Sequence, residues 1–200
     1  MLENFIEGED DSTMMEFGDK NYEFKIYEKI LKWAVDICLV VTVALFIGVY
    51  ASKVTYMIGN SMNTILSNED KVLINMISYN FAEPKRFDII YFSPDDGEHT
   101  YIKRIIALPG ETVEIKNDGN IYVNGQILQE NEEYNYEKIV NSGIAKKPVT
   151  LGEDEYFVLG DNRNNSEDSR FDEIGNVKKK DIIGKVWFRV SPVSAFGFIE

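Results

Sequence analysis

The run Val113-Glu-Ile-Lys-Asn-Asp-Gly-Asn-Ile-Tyr-Val-Asn-Gly-Gln-Ile-Leu128 decides the fold class. Its apolar residues come in short bursts, at Val113-Glu-Ile115, Ile121-Tyr-Val123 and Gln126-Ile-Leu128. Between the bursts stand Asp118-Gly119 and Asn124-Gly125. These dipeptides readily take the positive φ that tight hairpin turns demand. Three short strands joined by two turns are therefore expected. The same texture continues upstream, in Val54-Thr-Tyr-Met-Ile58, Lys71-Val-Leu-Ile-Asn75 and Asp88-Ile-Ile-Tyr-Phe92. Each is a short β-branched or aromatic run bounded by Asn, Asp, Glu or Pro. Tyr101-Ile-Lys-Arg-Ile-Ile106 alternates and stops at Leu108-Pro-Gly110; Tyr156–Leu159 and Lys185–Val190 read as late strands. Residues 129–154 are polar and show no clear pattern. The expected class is mostly β.

One segment departs from this texture. From Ile37 to Tyr50 the chain carries no charge, and extending the run to Trp33 and Ser52 gives the length of about 20 residues that crosses a bilayer. Asp36 then sits near one end, where it costs less than the roughly 2.5–3.5 kcal/mol of a central aspartate. A buried core helix and a cleaved signal peptide are the competing readings. Lys20, Lys25, Lys29 and Lys32 precede the run and only Lys53 follows closely. The positive-inside rule then puts the N-terminus in the cytoplasm and the chain after residue 52 outside. Residues 1–32, acidic at Glu7, Glu9, Asp10 and Asp11, read as a flexible tail, helical from Tyr22 onward. The expected organisation is a tail over 1–32, a transmembrane helix over 33–52 and a β-rich domain over 53–200.

Composition narrows the chemistry. The net charge of −13 argues against a nucleic-acid partner, which needs a basic footprint. One cysteine, Cys38, and one histidine, His99, leave no disulfide and no Cys- or His-rich metal site.

Three segments could carry catalysis. Gly59-Asn-Ser-Met62 places a serine among turn-forming residues soon after the expected span. A serine hydroxyl needs a base, and His99 is the only histidine. A lysine serves if burial lowers its pKa. Lys103 lies in the Tyr101–Ile106 strand, where alternation sets it with Tyr101 and Ile105, opposite Ile102, Arg104 and Ile106. A lysine on a solvated face is the competing reading. Gly160-Asp-Asn-Arg-Asn-Asn-Ser-Glu-Asp-Ser-Arg170 reads as an ordered polar loop after a strand, with Asp168 and Arg170 spaced for an ion pair. An ion-binding loop and a plain surface loop stay open; the spacing does not match an EF-hand.

In this order, after one apolar run, these segments resemble the bacterial type I signal peptidases, over nearly all of residues 34–200. Ser61-Met62 looks like that family's nucleophile box, and Arg86-Phe-Asp-Ile-Ile-Tyr-Phe92 is similar to its Arg-Gly-Asp-Ile-Val strand. Tyr101–Glu111 matches the box bearing the catalytic lysine, and Gly160–Arg170 matches the last box at its fixed positions. Ile182-Ile-Gly-Lys185 and Phe196-Gly197 look like its C-terminal end. The resemblance implies a twisted, mostly antiparallel β assembly with a smaller β-rich insertion over about residues 111–154. It implies Ser61 as nucleophile, Lys103 as general base, Ser166 as the hydroxyl that orients the lysine amine, and Asp168 with Arg170 as a structural pair. It further implies an endopeptidase at the bacterial cytoplasmic membrane that removes signal peptides from secreted preproteins, with no metal or organic cofactor. The partners are those preproteins and the lipid bilayer, with room for the secretion machinery. A non-catalytic membrane-bound paralogue in surface-protein or pilus assembly is the alternative.

Two departures stand out. The family pattern Ser-Met-x-Pro-Thr-Leu reads here Ser61-Met-Asn-Thr-Ile-Leu66, without the proline. Where some members carry an oxyanion-hole serine two residues before the nucleophile, this chain has Gly59. Backbone N–H groups, with Gly59 and Ser61 as candidates, would then stabilise the oxyanion.

Overall fold

The computed structural model describes residues 11–94, 97–131 and 134–199, with the side chains of 11–24, Ile47, Val49 and Tyr50 outside that description. The chain divides into two compact units, Met1–Val49 and Tyr50–Glu200. The first contains most of helix α1, Asp11–Ala51. The helix begins upstream of Tyr22, where it was expected, and Ser52, assigned to the spanning helix, instead opens a strand. The residues before Asp11 lie outside the described ones. Among the described residues no helix is long and apolar enough to cross a membrane.

Among its described residues the second unit is built from twelve strands: β1 Ser52–Tyr56, β2 Lys71–Asn75, β3 Ile89–Phe92, β4 Tyr101–Ala107, β5 Thr112–Ile115, β6 Ile121–Val123, β7 Gln126–Ile127, β8 Val149–Thr150, β9 Glu155–Leu159, β10 Val177–Lys178, β11 Ile182–Ser191 and β12 Gly197–Phe198. A large antiparallel sheet runs β1-β2-β11-β3-β4-β9-β10, with β12 pairing β11; a smaller one runs β7-β6-β5-β8. The smaller sheet has Gly119 and Asn124-Gly125 at its turns, all with positive φ.

Strand β4 explains the layout. It lies between β3 and β9, with Ile90 opposite Lys103 and Leu159 opposite Arg104. Every residue from Ile102 to Ala107 is buried, so neither face of the strand is solvated. Ile102 joins a cluster with Met62, Leu66, Val72 and Val186, and Ile105 packs with Ile90, Tyr156 and Val158. Ile106 and Ala107 join Val113, Ile121 and Phe157 under the small sheet. Charged side chains on such a strand must find partners, because an isolated buried charge is costly.

Candidate active site

Ser61 lies in the turn between β1 and β2. Met62, wholly buried, pins the turn to the core, and its carbonyl accepts from the N–H groups of Thr64, Ile65 and Leu66 at 2.8, 3.0 and 2.8 Å. The turn closes in this way without the family's proline, and Asn63 and Thr64 face solvent. Gly59 has φ +82°, a conformation open to glycine. Its N–H donates to Asn68 Oδ1 at 2.8 Å. In this structure the Gly59 N–H, a candidate oxyanion donor, is engaged by Asn68. The Ser61 N–H makes no hydrogen bond among the described residues.

Lys103 comes from the centre of β4 and is 3% exposed. Its Nζ donates to Ser61 Oγ at 2.7 Å. Burial pulls its pKa from 10.5 down to about 8; the carboxylates of Asp168, Glu167 and Asp161 oppose the shift and Arg170 adds to it. The solvated-face reading of Lys103 is thereby overturned: β4 is a central strand, covered on both faces.

The loop after β9 brings the two together. A Cβ at Gly160 would overlap the Ser166 hydroxyl and lie 2.5 Å from the Ser61 carbonyl oxygen, so only a glycine lets the chains approach this closely. Next to it, the Asn162 N–H donates to the Ser61 carbonyl at 3.0 Å and its Nδ2 to the Asn60 carbonyl at 3.0 Å. Thr64 Oγ1 donates to the Asp161 carbonyl at 3.4 Å. Asp168 and Arg170 form a buried two-pronged pair, Nε–Oδ1 2.7 Å and NH2–Oδ2 2.8 Å. Asp168 Oδ2 also accepts the Gly160 N–H at 3.0 Å, which ties the pair to the glycine. Ser166 lines the same cleft, but its hydroxyl donates to the Glu167 carbonyl at 3.4 Å and makes no bond to Lys103. The cleft encloses about 740 Å³, with Ile58, Tyr101 and Phe171 as apolar walls and Glu167 and Glu173 at the rim. His99 is not among its lining residues.

The family model described as signal peptidase, peptidase S26, matches residues 30–191. The chain belongs to this family. Among its S26 relatives is the signal peptidase I S of Bacillus subtilis (strain 168), 38% identical over 173 residues, which make up 82% of this chain and 91% of that one. The probable signal peptidase I-2 of a Synechocystis species is 36% identical over 174 residues, 80% of this chain and 74% of the relative. A crystal structure of a signal peptidase I from Enterococcus faecalis V583 shares 38% identity with a TM-score of 0.42, covering 52% of this chain and 97% of that one.

The sequence reading overlooked Arg104 and Asp161. Arg104, 2% exposed, forks onto Asp161 with Nε–Oδ1 2.8 Å and NH2–Oδ2 3.0 Å, and its NH1 donates to the Phe87 carbonyl at 2.8 Å. The pair joins the strand of Lys103 to the loop that holds Ser61. An arginine amid isoleucines was the available signal, since it demands a buried acid; nothing local said which acid. Among the described residues no group of three or more His, Cys, Asp or Glu is placed to hold a metal.

Proposed function

We propose that this S26 peptidase removes signal peptides from secreted preproteins, with Ser61 as nucleophile and Lys103 as general base. The observation that carries the reading is the 2.7 Å contact between Lys103 Nζ and Ser61 Oγ, made by a lysine buried deeply enough to hold its pKa near 8. A neutral amine at that distance accepts the Ser61 proton as Oγ attacks the scissile carbonyl. The resulting ammonium then protonates the leaving amine, and the amine regenerated in this way activates the water that hydrolyses the acyl-enzyme. The free Ser61 N–H is the backbone donor for the oxyanion. Asp168, Arg170, Arg104 and Asp161 keep the loop and strand in register, and Ser166 lines the wall beside the dyad.

Helix α1 anchors the peptidase in the bacterial cytoplasmic membrane, with the N-terminus inside and the β domain outside. Supporting this is the uncharged run from Ile37 to Tyr50. Leu39, Val40, Val41, Val43, Leu45 and Phe46 are all exposed, so this run of the helix is apolar all round rather than on one face. Such an anchor raises the local concentration of membrane-tethered preproteins.

The test compares wild type, Ser61→Ala and Lys103→Met on a preprotein with an intact signal peptide. Both variants should lose cleavage by at least about 10³-fold. Cleavage by either at the wild-type rate removes the dyad.

A further inference from the structure

Residues 129–154 had no legible pattern, yet Glu130 and residues 136–141 run along the loop that holds the nucleophile. Ile139 and Ala145 bury this segment in the cluster of Val113, Phe157 and Leu159. From that footing it contacts the Gly160–Arg170 loop repeatedly. Glu130 takes both terminal nitrogens of Arg163, NH1 at 2.8 Å and NH2 as the second prong. The Tyr136 ring lies 4.0 Å from the Arg163 guanidinium carbon, within cation–π range. Asn164 Nδ2 donates to Glu137 Oε2 and to the Lys138 carbonyl, each at 3.0 Å, while its Oδ1 accepts the Val140 N–H at 3.0 Å. Farther on, Arg170 NH1 donates to the Asn141 carbonyl at 3.0 Å.

Arg163 is the telling member. It is 2% exposed, its Nε has no acceptor among the described residues, and Glu130 is its one carboxylate partner there. Its neighbour Asn162 grips the backbone of Asn60 and Ser61. Charge and ring geometry at Arg163 thus act one residue away from the clasp on the nucleophile.

We infer that Glu130, Tyr136, Glu137, Lys138, Val140 and Asn141 form the positioning frame of the nucleophile, and that Glu130 and Arg163 are positioning residues that act through Asn162 on Ser61. This rests on the dyad reading above. Neither Glu130 nor Arg163 is among the residues that line the cleft, so the pair should govern the chemical step and leave substrate binding intact.

The experiment uses the full chain as wild type, Glu130→Gln, Arg163→Gln and the double variant, with Ser61→Ala alongside. Steady-state cleavage of a preprotein is measured per folded molecule, with folding followed by circular dichroism. Each single variant should lose about tenfold in kcat with KM within about twofold, a loss of the size that small misplacements cause. The double variant should be no slower than either single, because the two act as one unit. Folded single variants with wild-type kcat, or losses that multiply in the double, overturn the inference. If Arg163→Gln fails to fold, Arg163→Lys decides: it keeps the charge but not the fork, and should fold and still lose kcat several-fold. A folded Arg163→Lys with wild-type kcat is equally fatal. Cleavage by Ser61→Ala would instead bring down the dyad reading, separately from the Glu130–Arg163 result.

Discussion

Lys103→Met should make this protein more stable while it loses activity. In the native state the amine's pKa drops from 10.5 to about 8 because β4 is buried on both faces. Between those two pH values the unfolded chain binds a proton that the native chain does not, so stability rises with pH across the window. Below about pH 8 the full cost is present, and above about 10.5 it is gone. At about 1.4 kcal/mol per pKa unit, the cost at pH 7 is about 3.5 kcal/mol. Methionine fills much the same volume with no charge to desolvate. Losing the hydrogen bond to Ser61 offsets about 1 kcal/mol of the gain. A net gain of about 2.5 kcal/mol should raise Tm by about 5–10 °C in a chain of this size. Thermal unfolding of wild type and variant, followed by circular dichroism from pH 7 to pH 10.5, measures the gap. The gap should be widest at pH 7 and close, or change sign by the small hydrogen-bond term, toward the alkaline end. A variant no more stable than wild type at pH 7, or a gap independent of pH, would refute the claim that burial lowers the Lys103 pKa.

Three further outcomes follow from the same geometry. Gly160→Ala puts a methyl group 2.5 Å from the Ser61 carbonyl, so it should cost about 1–3 kcal/mol by denaturant titration and slow cleavage more than tenfold, in the manner of an overpacked core. Asp168→Asn leaves the Arg170 guanidinium buried beside a neutral amide and should lower stability by about 3–5 kcal/mol, read in the same titration. In a pH–rate profile, kcat/KM should climb as pH rises and level off above an apparent pKa near 8, because only the neutral Lys103 accepts a proton; a profile flat from pH 6 to 10 contradicts the assignment.

The strands could be read from sequence wherever a short β-branched run met a turn dipeptide. The hairpins at Gly119 and Asn124-Gly125 are local objects, decided by residues a few positions apart. The first strand came two residues early, at Ser52–Tyr56, because its start is set by pairing with β2 and not by its own composition. The environment of Lys103 was out of reach for the same reason. Alternation predicts one wet face, and only residues packed onto the sheet from distant parts of the chain, Met62 and Leu66 beside Ile102 and Ile174 beside Ile105, make both faces dry. Ser61 and Lys103 could be named from their motifs, but the bond between Gly59 and Asn68 and the Ser166 contact with Glu167 depend on side-chain directions that spacing does not encode. Residues 129–154 were opaque because polar groups such as those of Glu130 and Glu137 are matched to a distant loop and carry no period of their own.

The two members of the dyad also differ in how firmly the sheet holds them. Lys103 stands on a strand laddered on both sides, near the middle of the large sheet, whereas Ser61 follows β1, which pairs with β2 alone at the sheet's margin. Marginal strands open at lower free energy than central ones. Warming should therefore lift the serine away before the lysine's surroundings yield. Cleavage would then fade, and return on cooling, at temperatures where the amides of β4 are still protected from hydrogen exchange.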